Sequence, residues 1–407
     1  MSPAEAAKHR RRNVFLLALC QAAGMSSASL VISVTALIGA QLAPDPRLAT
    51  LPLALQWVAV MLLAMPASFL MKHHGRRLGL SLGAGFGILA GLLGAWAIST
   101  GSFWLFCLTS LPFGASVIGV QFYRFAAADA ADEAFRSRAI SLVLAGGVIA
   151  AVLGPELAKQ SKDLLETTFA GAYVMISGLS LVALLLLQFT TIPKPDAAER
   201  ARGGRPLLEL ARQPVFIVAV LCALIGYGAM NLVMTVTPPA MMGRGHPFDS
   251  AALVIQWHVL GMYAPSFFTG HLITRFGVLR VLVAGGVLML GCAAVNLLGD
   301  SGVLTFAVAL VLLGLGWNFL FVGGTTLLTE SYRPEEKAKV QALNEFMVWG
   351  TVACTALSSG ALHNAAGWQA INLATILPLV LVLCALGLFA RHRRRSLLRA
   401  TEAGAAP

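Results

Sequence analysis

Charge is what this sequence has least of. Only 12% of its 407 residues are Asp, Glu, Lys or Arg, against about 25% in an ordinary soluble domain. Acids are scarcer than bases, 18 against 29, while hydrophobic residues make up 57%. The six cysteines, Cys20, Cys107, Cys222, Cys292, Cys354 and Cys384, all fall in apolar runs and none in a loop. That placement implies neither a disulfide framework nor a metal site, and the thiols read as small buried hydrophobes. There is no Gly-x-x-x-x-Gly-Lys-Ser/Thr loop, so nothing points to an ATP-driven pump. His-Glu-x-x-His is absent, as is any cluster of acids or histidines at one membrane face, which argues against a membrane enzyme. No long polar stretch offers the extramembrane domain of a receptor. No cofactor or metal is expected.

Long apolar runs are what remains, and they describe a membrane protein. One helical crossing needs roughly 20 apolar residues. Runs of that kind predict helices over about 14–41, 50–71, 78–99, 103–123, 139–158 and 170–190, then over 214–238, 251–273, 278–298, 302–328, 340–362 and 368–390. They are continuously apolar, without the in-out alternation of a barrel strand. The fold class expected is an all-α membrane protein with twelve transmembrane helices, called spans 1 to 12 below, in two pseudo-symmetric six-helix bundles. The boundaries expected are 1–190 for the first bundle, 191–213 for a Pro-, Gly- and charge-rich linker carrying a short surface helix near Asp196–Arg202, 214–390 for the second, and 391–407 for a basic tail.

The basic residues fix an orientation. The Lys8–Arg12 run precedes an apolar stretch too long for a signal-peptide core, so it reads as a retained first span. All but four of the 29 Lys and Arg (Arg47, Lys159, Lys162 and Arg244) fall on one side of the twelve-span layout. This asymmetry places both termini in the cytoplasm. The net charge of +11 therefore reports topology and not nucleic-acid binding.

A duplicated pattern runs through the chain. Asp129, Arg136 and Arg138 reappear about two hundred positions later as Glu330, Lys337 and Lys339, and Gln56-Trp57 as Gln256-Trp257, half a chain apart and so a repeated half. Repeated halves are how solute carriers are built. Both charged copies lie at the inner ends of spans 4–5 and 10–11, which suits gating rather than substrate binding. The places where the copies differ, His258 against Val58 and Glu345 against Leu144, are where cargo or proton contacts are sought.

With these features the chain resembles the major facilitator superfamily. The resemblance covers nearly all of it, six spans plus six around a long middle loop. That family's motif between spans 2 and 3 has the form Gly-x-x-x-Asp-Arg-x-Gly-Arg-Arg. Here the stretch Ser68 to Arg77 keeps Gly75-Arg76-Arg77 but has Ser68 for the first glycine and Lys72 for the aspartate. The second copy keeps Gly270, Arg275 and Gly277, again without the acid. The resemblance implies that the motif helps lock the ends of the two halves together. With Lys72 in the acid's place, Asp129 and Glu330 are the counter-charges left for Arg76 or Arg77; the alternative is that these bases simply contact water and headgroups. Gly154-Pro155 resembles a drug/proton antiporter motif, but Ala158-Lys159 stands where paired glycines follow, and Ser110 where an arginine precedes Gly114. The stretch Gln256–Phe268 resembles a bacterial branch of the superfamily with mostly unassigned substrates.

Polar groups within spans are costly in lipid and tend to face the bundle interior. Spans 1, 4, 7 and 10 line the cavity in the resembled family. Substrate-binding candidates are accordingly Gln21, Ser29, Tyr227, Asn231, Trp317 and Asn318, with Gln256 and Trp257 from span 8. Glu345 is the clearest acid inside a span and a candidate to load and release a proton; the alternative is an acid held by Lys337 or Lys339 near the helix start. His258 is the second coupling candidate, the alternative being a neutral packing histidine. Gating candidates are Arg76, Arg77, Asp129, Arg136, Arg138, Glu330, Lys337, Lys339, Gly154 and Pro155. Arg124, near the inner end of span 4, is expected to snorkel to the interface. Glu156 is expected at the outer gate.

The function expected is secondary active transport of a small organic solute by alternating access, proton-coupled, in a bacterial inner membrane. The partners expected are that solute, protons and membrane lipid, with the protein acting as a monomer. The alternative within the same fold is a multidrug/proton antiporter.

Overall fold

Lipid offers the backbone no hydrogen-bond partners, so a chain this apolar must satisfy its peptide groups within each crossing. The computed structural model describes residues 3–45, 48, 50–192 and 204–404, and among them every regular element is a helix. Arg47 and the Asp196–Arg202 stretch of the linker lie outside the described residues. Among the described residues, eleven helical stretches are long and apolar enough to cross a bilayer. The last, Pro334–Arg395, is 62 residues long, about three times what a crossing needs. It turns at Gly367, where φ is 78° and ψ −177°. Such a conformation is open to glycine at little cost, and it divides the stretch into spans 11 and 12.

The observed spans are His9–Leu42, Leu51–His74, Arg76–Ser99, Phe103–Ala130, Arg136–Ser161 and Ala170–Gln188, then Pro214–Met242, Asp249–Phe276, Val278–Leu298 and Val303–Leu328, with spans 11 and 12 on either side of Gly367. A short helix, Leu207–Ala211, precedes span 7. Spans 2 and 3 are separated by the single residue Gly75, and spans 8 and 9 by Gly277. Gly75 has φ 90° and Gly277 φ 86°. Each caps the helix before it, its N–H reaching the carbonyl of Met71 or Ile273 at 2.9 Å. The glycines shared by the two motif copies thus meet the same backbone demand, a one-residue reversal that side-chain-bearing residues resist.

Span 8 is not continuous. It consists of Phe248–Tyr263 and Ser266–Phe276, broken around Ala264-Pro265, because Pro265 has no N–H to extend the ladder. Beside the break, the carbonyl of Met262 accepts from Asn318 Nδ2 at 2.6 Å.

The chain forms two compact units. The first comprises Met1–Gly204, Tyr263–Gly270 and Arg333–Leu357; the second comprises Arg205–Met262, His271–Tyr332 and Ser358–Pro407. The Tyr263–Gly270 segment of span 8 and most of span 11, as far as Leu357, therefore pack with the first six spans.

Candidate functional site

Within the first unit, span 5 is packed tightly on span 1 through small residues. A Cβ at Gly146 would lie 2.5 Å from the Ala18 carbonyl oxygen, and one at Gly154 would lie 2.5 Å from Ser29 Cβ. Ser29 and Gly154 therefore meet each other at a helix contact, which is what small residues permit between membrane helices. Gln21 is buried beside Gly146, and its Oε1 has no hydrogen-bond partner among the described residues. Pro155 lies half-buried one residue on. Glu156 is exposed and bonded to Gln160 at 3.0 Å.

The other face of span 5 holds the Tyr263–Gly270 segment. The Ser141 hydroxyl donates to the Ser266 carbonyl and accepts from the Gly270 N–H at 3.1 Å. A Cβ at Gly270 would come within 2.7 Å of Arg138 Cα. Gly270 is thus one motif glycine whose role is close backbone approach, and Arg138 contributes its main chain to that contact.

At the basic end of the bundle, Asp129 is the centre of a charge cluster. Arg76 Nε donates to its Oδ2 at 2.5 Å, and Lys337 Nζ lies 3.4 Å from the same oxygen. Arg76 Nη2 also donates to Gln341 Oε1 at 2.7 Å. Ser68, which replaces the motif's leading glycine, uses its hydroxyl to reach the Ala338 carbonyl at 2.9 Å. The Arg77 guanidinium is directed elsewhere, to Gln188 at 3.0 Å. Arg136 and Lys339 are half-buried.

Deeper in the same unit lies an ion pair that the sequence does not announce. Arg124 and Glu345, in spans 4 and 11, are 1% and 0% exposed and meet at 2.5 Å. The expectation that Arg124 snorkels is overturned. Its Nη1 is held by the Gln121 carbonyl and side chain at 3.1 and 3.0 Å, and its guanidinium lies 4.6 Å from the Phe125 ring centre. This shell turns the long side chain inward, where a carboxylate compensates its charge. Glu345 accepts further bonds from Asn344 at 2.8 Å and from the Trp349 Nε1–H at 3.2 Å. Its partner is Arg124 and not Lys337 or Lys339. Trp349 in turn stacks on Trp57, with ring centres 5.3 Å apart and planes 9° apart. Three donors on one buried carboxylate, backed by an aromatic stack, make a group in which a single proton decides whether an arginine is neutralised.

The second unit has its own polar set. His258 is fully buried, and its Nδ1 lies 2.8 Å from the Leu310 carbonyl. A carbonyl can only accept, so Nδ1 carries a proton; in the neutral ring Nε2 then presents a lone pair, without a partner among the described residues. Gln256 and Trp257, its neighbours in sequence, are exposed. Tyr227 packs edge-on against Trp317 and Phe321, and Trp317 stacks on Phe321 with centres 4.9 Å apart. Asn231 is buried one turn from Tyr227. Asn318 spends a donor on the break in span 8. Glu330 is exposed and pairs with Arg393 at 3.2 Å.

The residues that sequence reasoning missed as site members are Gln121, Gln341, Asn344, Trp349 and Trp57. One signal could have found the pair. Arg124 and Glu345 are opposite charges in a chain that carries few, and charges inside spans pair with one another.

Comparison with known proteins gives the family. The sequence model of the Major Facilitator Superfamily matches residues 14–264 and 221–407. The riboflavin transporter RfnT of Brucella anthropi is 44% identical over 379 residues, covering 91% of this chain and 94% of that protein. YdeG of Bacillus subtilis, an uncharacterized MFS-type transporter, is 28% identical over 399 residues, covering 94% and 93%. Among solved structures, the E. coli fucose:proton symporter FucP aligns with a TM-score of 0.73 at 17% identity, covering 93% of this chain and 98% of that one. The human organic anion transporter MFSD10 aligns at 0.75 and 15%, covering 95% and 100%. These last two likenesses speak to the fold alone. The chain belongs to the major facilitator superfamily and is a multi-pass secondary transporter of the plasma membrane, with a small molecule as its cargo and no enzymatic reaction of its own.

Proposed function

We propose that the chain moves riboflavin, or a closely related flat heteroaromatic solute, by alternating access coupled to protons. The observation that carries the cargo is the 44% identity, over nearly the full length of both chains, to a riboflavin transporter. The site is compatible with such a cargo. A tricyclic ring is large, planar and weakly charged, and such solutes are bound by aromatic faces and a few placed polar groups. Trp349, Trp57, Gln121 and Asn344 beside Arg124–Glu345 supply that mixture.

Glu345 is the proposed proton carrier. When it is ionised, Arg124 is neutralised. When it takes a proton, the guanidinium loses its counter-charge and seeks another acceptor, such as a carbonyl of the cargo. Loading the proton and loading the solute then favour each other. His258, with its Nε2 lone pair, is the second proposed acceptor of a proton. The Asp129 cluster with Arg76 and Lys337, together with the Gly270–Arg138 contact, is the proposed gate. The remaining gating and substrate-binding assignments from the sequence stand as proposals on the same footing. So do the division into two repeats of six spans joined by the linker, the cytoplasmic placement of both termini and a monomeric state.

The test is riboflavin movement in proteoliposomes with and without an imposed proton gradient. The wild type is expected to move riboflavin faster down a favourable gradient, and Glu345→Gln to lose that acceleration. Absence of riboflavin movement under either condition sinks the cargo assignment. Movement indifferent to the gradient, with Glu345→Gln and His258→Ala both fully active, sinks the coupling.

A further inference from the structure

The two indoles of the Trp57–Trp349 stack are held in different ways. Trp349 is 2% exposed and anchored, its Nε1–H given to Glu345. Trp57, from span 2, is half-buried, and the stack itself is its one aromatic contact among the described residues. The residue before it, Gln56, is buried with its Nε2 donor unpartnered among the described residues, a state that a ligand acceptor would relieve. One wall is buried and anchored, the other is half-buried and held by the stack, and an unpartnered polar donor precedes it in the helix.

Resting on the riboflavin reading above, we propose that Trp57 and Trp349 form a clamp that takes the solute's flat ring between their indoles. Two parallel indole faces are the surface a polycyclic heteroaromatic ring prefers, because the indole is large and its π-face is electron-rich. Trp349 supplies the fixed wall. Trp57 swings away to admit the ring and closes over it. The pre-existing stack is the empty clamp shut on itself. Trp57 is then the residue that makes the transporter select flat rings, while the ring on Trp349 sits one side chain from the Arg124–Glu345 pair.

Purified protein titrated with two probes tests this. The probes are riboflavin and lumiflavin, which keeps the isoalloxazine ring but lacks the ribityl chain. Stacking on an indole quenches flavin emission, so wild-type protein is expected to bind both probes with strong quenching. Trp57→Leu, which keeps an apolar side chain and removes the π-face, is expected to weaken both by roughly tenfold, the effect of removing one stacking face. Trp57→Phe should stay within about threefold of wild type. In proteoliposomes the Leu variant should show the loss in KM, with kcat little changed.

Riboflavin binding by the Leu variant within about twofold of wild type overturns the clamp. So does a loss confined to riboflavin with lumiflavin unaffected, or wild-type-bound flavin that keeps its full emission. If the Leu variant does not fold, the wild-type emission and the Phe variant still decide. Wild-type protein that neither binds nor moves riboflavin overturns the cargo reading itself. Wild-type movement that is indifferent to Trp57 overturns only the clamp.

Discussion

Asp129 and Glu330 hold equivalent places in two copies of one charge pattern, yet they live in different surroundings. Asp129 is 15% exposed and neutralises Arg76 at 2.5 Å and Lys337 at 3.4 Å. Glu330 is 39% exposed, and its partner is Arg393 of the basic tail, itself 47% exposed. The pattern recurs in the sequence; the cluster does not recur in the structure. Lys337, the second copy's counterpart of Arg136, is drawn to the first copy's acid, so one acid holds two bases while the other holds a surface pair. Burial also separates Gln56 from its counterpart, the exposed Gln256. What the comparison teaches is that repetition in sequence preserves the backbone turn, as Gly75 and Gly277 show, while burial decides what each charge is worth.

A series of carboxylates at rising exposure tests that statement, beginning with the deepest. Glu345→Gln leaves the Arg124 guanidinium buried without a counter-charge, and breaking such a pair costs about 3–5 kcal/mol. Thermal unfolding of purified protein should show this as the largest loss of the set. A double variant, Arg124→Leu with Glu345→Leu, should recover most of that stability while its transport stays indifferent to the proton gradient, because replacing both partners by apolar groups is close to neutral. A double variant no better than the single one would mean that packing, and not charge, sets the cost.

Asp129→Asn comes next. It strips the counter-charge from two cations that retain some access to water and to Gln341, so about 2–3 kcal/mol is expected. Unfolding in matched salt measures it, and a loss as small as that of a surface pair would erase the contrast with Glu330. Lys337→Ala removes only the longer of the two contacts and leaves the Arg76 bond in place. About 1 kcal/mol is expected, and a double-mutant cycle with Asp129→Asn should show the two effects to be non-additive.

The reach of the sequence follows the same line between local and distant causes. Spans were legible because each is a continuous apolar run, and the fold class follows from counting them. Gly75 was legible as a motif residue, although the reason for it, a positive φ in a one-residue turn, belongs to the backbone. The Arg76–Asp129 pairing was among the partnerships that the scarcity of acids proposes. Arg124–Glu345 was not, since the partners are 221 residues apart and an arginine roughly 9 Å from a helix end has length enough to snorkel. Only the Gln121 and Phe125 shell reveals that it turns inward. Span 8 reads in the sequence as one run over 251–273; its break at Ala264-Pro265 appears only in the structure, and the Asn318 bond to the Met262 carbonyl depends on a contact across 56 residues that no local pattern encodes. The turn at Gly367 is likewise visible only once the helix on either side is built.

Glu330→Gln is the mildest test and the sharpest for the comparison. Both partners keep their hydration, so removing one leaves no stranded charge, and Arg393 returns to water at little cost. The expected loss is at most about 0.5 kcal/mol, falling toward zero as salt screens the pair. The Asp129→Asn loss should fall less over the same salt range, because water and ions reach that cluster poorly. Unfolding midpoints for both variants in low and high salt give the contrast directly. If Glu330→Gln costs as much as Asp129→Asn, or its loss survives high salt, the exposed pair is held by something that its burial does not explain. The two copies would then be energetically alike despite their different surroundings.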